Sequence, residues 1–367
     1  MQETKVVLGC GFGDESKGAT VQWLCKEALS QGKKPLVIRF SGGSQSAHTI
    51  WWNGIEHICS SFGSGVLLGV PTYYSAVNVL FDPICLVNEL IVLDKKRVNP
   101  VFDVSNAPII TPYDVKYNRL SSQILKDGTC GKGVYVSLQR SENGQAFHLY
   151  DDPETILDYC AKWYNFKRDY VWDRAFKNCL SIVRQLNTRL NPKDYDVLIY
   201  EGTQGLLLDA ELGFKPNVTA TGTGLKDTGL ESGDVYLVTR TYLTRHGNGY
   251  DPMIPKEVNK ADETNVFNKF QGNFKTGALE FDLLNHGFQA HQLKDASGFN
   301  FNLVISHMDE VMTTGKFSYL NHGGLTNKLT ASPDTVVGIM KDNLDLDFTN
   351  VFWSDNKYSR FTKHEKK

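Results

Sequence analysis

Between the apolar run "KVVL" and the helical pattern "ATVQWLCKEAL" the chain reads "GCGFGDESKG", residues 9–18. A glycine turn leading from a strand into a helix suits an anion. Glycines let the backbone approach a phosphate, and a helix N-terminus presents free N–H groups. Lys17 adds a point charge, and Gly13 and Gly18 bracket the polar stretch. Two carboxylates sit in the middle, where they repel phosphate. Glu15 fits the start of the helix, where the dipole favours an anion. Asp14 needs a different reason, either as a ligand of Mg²⁺ or as a base that takes a substrate proton. The loop is neither GxxxxGK[ST], since Ala19 follows Gly18, nor GxGxxG. By itself it also admits the reading of an ordinary turn.

More glycine loops follow apolar runs. "RFSGGSQSAHTI" (39–50) offers Gln45, Ser46, His48 and Thr49. A histidine after a glycine turn at a strand end is placed for acid or electrophile work, although a lone histidine is commonly structural. "DGTCGKGV" (127–134) carries Thr129, Cys130 and Lys132, with Arg140 following. In "YEGTQGLLLD" (200–209), Gln204 presents an amide suited to a carbonyl or a base edge. "NVTATGTG" (217–224) supplies hydroxyls, the first at Thr219, and "TRHGNGYDP" (244–252) adds Arg245. So many polar loops after strands suit a site for more than one phosphate-bearing ligand.

Positioning these loops requires a scaffold. Strand-like runs at 5–10, 35–40, 195–202, 234–243 and 301–311 are separated by helical patterns such as 17–32. The alternation predicts an α/β fold with a central, mostly parallel sheet flanked by helices, and a site at the carboxyl ends of the strands. The 367 residues are read as a single domain, with 150–193 as a peripheral helical segment and "TKHEKK" as a frayed tail.

Net charge is −2, from 39 Lys and Arg against 41 Asp and Glu, which leaves no basic excess for nucleic acid. No apolar stretch is long enough to span a membrane. The first residues lack a signal-peptide pattern, and seven scattered cysteines without a CxxC pair fit reduced thiols. A cytoplasmic protein without a zinc site is expected.

Taken in order, the loops resemble those of adenylosuccinate synthetase. "GDESKG" is similar to that family's GDEGKG, "GGSQSAHT" to GGHNAGHT, and "GTCGKG" to GTTGRG. "EGTQG", "VTA", "TRHGNGYDP" and "SHMD" resemble its EGAQG, VTS, TRVGxGPFP and KLD segments. The likeness runs from residue 5 to about residue 311. It implies a P-loop-like, GTP-dependent synthetase fold and a carbon–nitrogen ligase of purine biosynthesis. In that chemistry GTP phosphorylates the 6-oxygen of IMP, and the amino group of L-aspartate then displaces the phosphate.

Carried onto this chain, the resemblance makes Asp14 the N1 base and a Mg²⁺ ligand, aided by the carbonyl of Ala47. His48 and Gln204 would act on the 6-oxygen. Residues Gly13, Glu15, Ser16, Lys17 and Gly18 would hold GTP phosphates, with His307 and Asp309 at guanine. Gln45, Thr129, Cys130, Arg140 and Thr219 would hold the purine nucleotide. Arg245, Lys275 and Thr276 would meet the amino acid. The family forms homodimers in which an arginine enters the partner's site, and Arg140 lies near the matching place.

Departures cluster at the amino-acid end. The family's arginine-rich TTGRRRRTGW is replaced by "KFQGNFKTGALEF" (269–281). Aligned on the shared "TG", Asn273 and Phe274 stand at arginine positions, leaving Lys275 with Lys269 and Arg245 as the available cations. "WSDNKYSR" lacks the GPxR-like signature, and the chain is compact like archaeal and phage members. Three other readings therefore stand beside the first. They are a phage-type enzyme that uses dGMP to make a 2-aminoadenine precursor, a paralogue with another amine donor or no catalysis, and a P-loop NTPase. Phage relatives tend to lose the loop aspartate, so the Asp14 present here favours IMP.

Overall fold

The computed structural model describes residues 2–258, 270, 272–329, 331–358 and 360–365. Lys269 lies outside the described residues. The chain begins β1 (Glu3–Gly9), α1 (Lys17–Ser30), β2 (Pro35–Gly42), then a hairpin of β3 (His48–Trp52) and β4 (Ile55–Cys59). Next come β5 (Thr72–Val79), α2 (Pro83–Lys95), β6 (Phe102–Asp103), α3 (Pro112–Leu120), α4 (Ser122–Asp127) and α5 (Val134–Glu142). Two helices, α6 (Pro153–Trp163) and α7 (Tyr170–Leu186), precede β7 (Val197–Gly205) and β8 (Gly233–Arg240). After them are β9 (Leu243–His246), β10 (Phe274–Gly277), β11 (Leu279–Glu280), α8 (Phe281–Ala290), β12 (Phe299–Ser306) and α9 (Met308–Thr314). The chain closes with β13 (Lys316–Asn321), β14 (Gly324–Leu329), α10 (Pro333–Asn343), β15 (Asn350–Trp353) and β16 (Thr362–Lys363).

One large sheet has the order β16-β15-β12-β8-β1-β7-β2-β5-β6. Its pairs are parallel except for β15 with β16. Strand alternation decides its two faces. Val7, Val238 and Val304 pack with Val21, Leu24 and Cys25 of α1. Their neighbours Val6, Leu8, Leu237, Leu303 and Ile305 point the other way, onto Phe281, Leu284 and Phe288 of α8 and Val336 and Met340 of α10. Burial on both faces explains why these strands read as continuous apolar runs rather than alternating ones. Each buried Val or Leu of α1 contributes about 1.5–3 kcal/mol.

A third core joins α2, α6 and α7 through Leu86, Ile156, Cys160, Phe176 and Leu180. The helices of residues 150–193 thus have a packed apolar face of their own. Aspartates cap both, Asp152 on α6 and Asp169 on α7.

Three boundaries differ from the sequence reading. The run 301–311 is not one strand. β12 ends at Ser306, His307 turns left-handed at φ 57°, and α9 begins. The run 234–243 likewise breaks after Arg240, and Leu243 opens β9. The tail is not wholly frayed, because Thr362 and Lys363 pair with Trp353 and Phe352.

Candidate active site

At the carboxyl ends of β1, β2, β7, β8 and β12 the loops enclose a cleft of about 1070 Å³. Asp14, Glu15, Ser16, Lys17 and Gly18 line it from the first loop, and Gln45, Ala47 and His48 from the second. Cys130, Gln204, and the pair His307 and Asp309 reach it from three other segments. Residues almost 300 positions apart therefore meet in one place, as the ends of parallel strands require.

The first loop is held by its own charges. Asp14 adopts a left-handed φ of 57°, and its carbonyl accepts from Nε of Arg240 at the end of β8. The carbonyl of Gly13 accepts from Thr244 at 3.0 Å. Glu15 does not cap α1. The N-cap position belongs to Ser16, at φ 70°, without a side-chain cap. Instead the Glu15 carboxylate turns back into the loop, accepts from the Gly11 N–H, and lies 3.6 Å from the ammonium of Lys17. The physical reason is Lys17 itself, which is buried and requires a counter-charge. Burial pushes the Glu15 carboxyl up, against the pull of Lys17 and the Gly11 N–H.

His48 opens β3, where Gly18 of α1 leaves room for it. A methyl at Gly18 would lie 2.6 Å from the His48 Cβ. The imidazole Nδ1 meets Oε1 of Glu201 at 2.6 Å, and its Nε2 is buried with no hydrogen-bond partner among the described residues. Glu201 also accepts from the N–H of Ser64 at 3.0 Å and from its hydroxyl. Burial pushes the Glu201 carboxyl up, but His48, Arg39 and Ser64 outweigh it and leave it below the ordinary carboxylate value. A histidine held at Nδ1 by a buried carboxylate presents Nε2 in a fixed direction, the arrangement needed for proton or hydrogen-bond donation to substrate. Arg39, within β2, shapes the second loop by donating to the Gly43 carbonyl at 3.3 Å and to Ser46 at 2.7 Å.

Other expected site residues lie elsewhere. Arg140 is not available to a nucleotide or to a neighbouring subunit. It is fully buried and forked onto Asp114, Nε to Oδ1 and Nη2 to Oδ2 each at 3.1 Å. Its remaining donors go to the carbonyls of Ile109 and Gln145 and to Ser137. The cause is local: Asp114 sits in the α3 capping box, and its charge is neutralised by the arginine of the facing helix. Thr129 is turned to Asn118 and caps the Gly131 N–H. The Thr219 N–H is tied to the Leu208 carbonyl at 2.8 Å. Arg245 donates to the carbonyls of Asn217 and Asn248 and lies over the Phe12 ring at 4.8 Å, and burial lowers it to about 10. Lys275 is paired with Asp251, and the Thr276 hydroxyl donates to the Lys256 carbonyl.

The donor set fits Mg²⁺. One carboxylate, Asp14, and the exposed backbone at Ala47 share the cleft. Magnesium takes few protein oxygens and completes its octahedron with waters and substrate phosphates. A separate His–Cys–Glu group, His57, Cys59 and Glu89, is a structural clasp. Both nitrogens of His57 and both oxygens of Glu89 are already hydrogen-bonded, to each other, to Lys96 and to Ser60 and Ser61.

Comparison with known proteins agrees with this geometry. The family model described as adenylosuccinate synthetase matches residues 6–274. The chain belongs to the adenylosuccinate synthetase family. Adenylosuccinate synthetase 2 of Chromobacterium violaceum is 27% identical over 309 residues, 74% of this chain and 69% of that protein. The Nitrosomonas eutropha enzyme is 29% identical over 311 residues, 74% and 68% of the two chains. These relatives are adenylosuccinate synthetases, so the chain is a ligase-family member. Among solved structures, fully ligated adenylosuccinate synthetase from Plasmodium falciparum matches with a TM-score of 0.74 at 16% identity, covering 98% of this chain and 99% of that one. The cyanophage S-2L succinoaminodeoxyadenylate synthetase (PurZ), bound to dGMP and dATP as an energy donor, matches at 0.61 and 14% identity, covering 99% and 95%. Both share this fold over nearly the full length of the chain.

Several residues that line or support the cleft were not singled out from sequence. Glu201 could have been found as the only charge within the apolar strand "VLIYEG", and Arg240 similarly ends the apolar "VYLVTR". Tyr242, His246 and the segment Ser354–Tyr358 also line the cleft; His246 falls within "TRHGNGYDP" and Ser354–Tyr358 within "WSDNKYSR", but nothing in those motifs gave them a role.

Proposed function

We propose that this chain phosphorylates the 6-oxygen of IMP from GTP and displaces the phosphate with the amino group of L-aspartate. The observation that carries this reading is the meeting of Asp14, His48 and Gln204 in one cleft, with His48 held at Nδ1 by Glu201. Asp14 takes the N1 proton as the 6-oxygen attacks the γ-phosphorus and GDP leaves. Nε2 of His48 and the Gln204 amide stabilise the oxygen that carries the developing charge. The aspartate nitrogen then attacks C6, and inorganic phosphate departs. The Asp14 carboxylate and the Ala47 carbonyl would hold Mg²⁺, which when bound would neutralise phosphate charge.

Lys17 and the amides of residues 13–18 serve the GTP phosphates, while Asp309 and His307 serve its base. Gln45 and Cys130 serve the purine nucleotide. A cytoplasmic homodimer completes the reading. It differs from the sequence expectation in that Arg140 plays no part in the partner's site. The test is to incubate the protein with GTP, Mg²⁺ and aspartate, offering IMP or dGMP, and to weigh the nucleotide products. An aspartyl adduct of IMP is expected.

The second reading takes dGMP, as the remodelled loops around Gln45 and Cys130 permit. Asp14 weighs against it, because a carboxylate there crowds a 2-amino group. An adduct of dGMP alone would establish it.

A further inference from the structure

We infer that His246 is the residue that receives a carboxylate of the amine donor, in place of the arginines this chain lacks. The inference rests on the reading that the cleft binds a dicarboxylic amino acid. His246 ends β9 and lines the cleft. Its Nε2 is buried and has no hydrogen-bond partner among the described residues, a costly state for an imidazole nitrogen unless a ligand meets it.

Its position in the fold is specific. β9 and β10 pair antiparallel with His246 opposite Phe274, one of the two residues that stand at arginine positions. The imidazole meets the Phe274 ring edge-on, at 5.9 Å and 81°. The Arg240 guanidinium lies over the same ring at 5.8 Å, so the ring contacts both a cation and an imidazole. Phe274 thus seats His246 rather than contacting a charged ligand itself. Of the three cations the sequence offered for the amino acid, Lys269 lies outside the described residues and the other two are committed. Lys275 is paired with Asp251, and Arg245 is turned to two backbone carbonyls beneath Phe12.

As the Nε2–H tautomer His246 donates one hydrogen bond to a carboxylate, and the nearby Arg240 charge makes an anion favourable there. One carboxylate of that amino acid thereby has a donor, which ammonia or an amine without a carboxylate would leave unmet. One imidazole offers fewer donors than a pair of arginine forks, so affinity is expected to be modest.

The experiment pairs kinetics with direct binding, using His246→Val and His246→Gln. In His246→Val the KM for aspartate should rise about ten-fold or more, the scale of one lost hydrogen bond to a charged group. The KM values for IMP and GTP and the kcat at saturating aspartate should change little, and His246→Gln should recover part of the loss. An unchanged aspartate KM, or a fall in kcat alone, would overturn the assignment. Succinate binding by calorimetry separates the two levels of the argument. If wild type forms no aspartyl adduct yet His246→Val weakens succinate about ten-fold, the reaction is wrong and the carboxylate site stands. Equal succinate affinity in wild type and both variants, each melting cooperatively, removes the site whatever the reaction.

Discussion

The imidazole of His48 and the carboxylate of Glu201 meet at 2.6 Å across 153 residues of sequence, and the carboxylate has no exposure to solvent. Replacing it with an amide keeps the shape and removes the charge that orients the ring. Glu201→Gln should lower kcat by about 10²-fold, with nucleotide KM values changed little. Steady-state kinetics on the IMP adduct would check this.

The same carboxylate makes stability depend on acid. Its folded value lies below the ordinary 4.5, so its contribution is present above that value and is lost as pH falls through the folded one. The melting-temperature difference between wild type and Glu201→Gln should therefore be largest above pH 4.5 and shrink below it. Melting curves across an acid pH series measure it.

Arg140 and Asp114 form a fully buried pair, which separates a structural arginine from a ligand-binding one. Arg140→Ala should cost about 3–5 kcal/mol in denaturant unfolding, because it strands a buried carboxylate. Replacing both partners with apolar residues should cost less. A raised nucleotide KM with unchanged stability would contradict the structural assignment.

Gly18 of α1 packs directly against His48. A methyl there would meet the His48 Cβ at 2.6 Å and the Ser64 hydroxyl at 3.0 Å. Gly18→Ala should cost about 1–3 kcal/mol in stability, the range for overpacking. It should also reduce kcat by about ten-fold or more, since a shift of about 1 Å at a catalytic group is expensive.

Asp14 carries the remaining test. Asp14→Asn should reduce turnover by about 10²–10⁴-fold, and the residual activity should need more Mg²⁺. Chelation of Mg²⁺ should abolish turnover in wild type. Full activity of the variant at low Mg²⁺ would remove Asp14 from both roles.

Much of the scaffold was legible because parallel strands buried on both faces read as apolar runs, and loops after them read as glycine. β1, α1, β2 and β7 fall where those runs predict them. What could not be read was direction. The spacing "GDESKG" places Glu15 at a helix start, but whether its carboxylate faces outward or folds back depends on the burial of Lys17, a tertiary fact. Arg140 was misplaced for the same reason, since its partner Asp114 lies on another helix. Glu201 is one residue from a glycine in a motif that drew attention to Gln204 instead, and its role depends on a hairpin that begins 153 residues earlier.

β1 leads into the glycine loop of residues 9–18 and pairs on one side with β7 and on the other with β8. On a ribosome that loop is made before either neighbouring strand, neither of which exists until residues 197–240 have followed. Until then an apolar strand and its glycine turn wait without a sheet. Closing such distant contacts is slow and leaves edges open to wrong partners. Nascent chains stalled before residue 197 should therefore lack nucleotide affinity and need holding by chaperones, and the glycine loop should become protected only after β8 has cleared the exit tunnel.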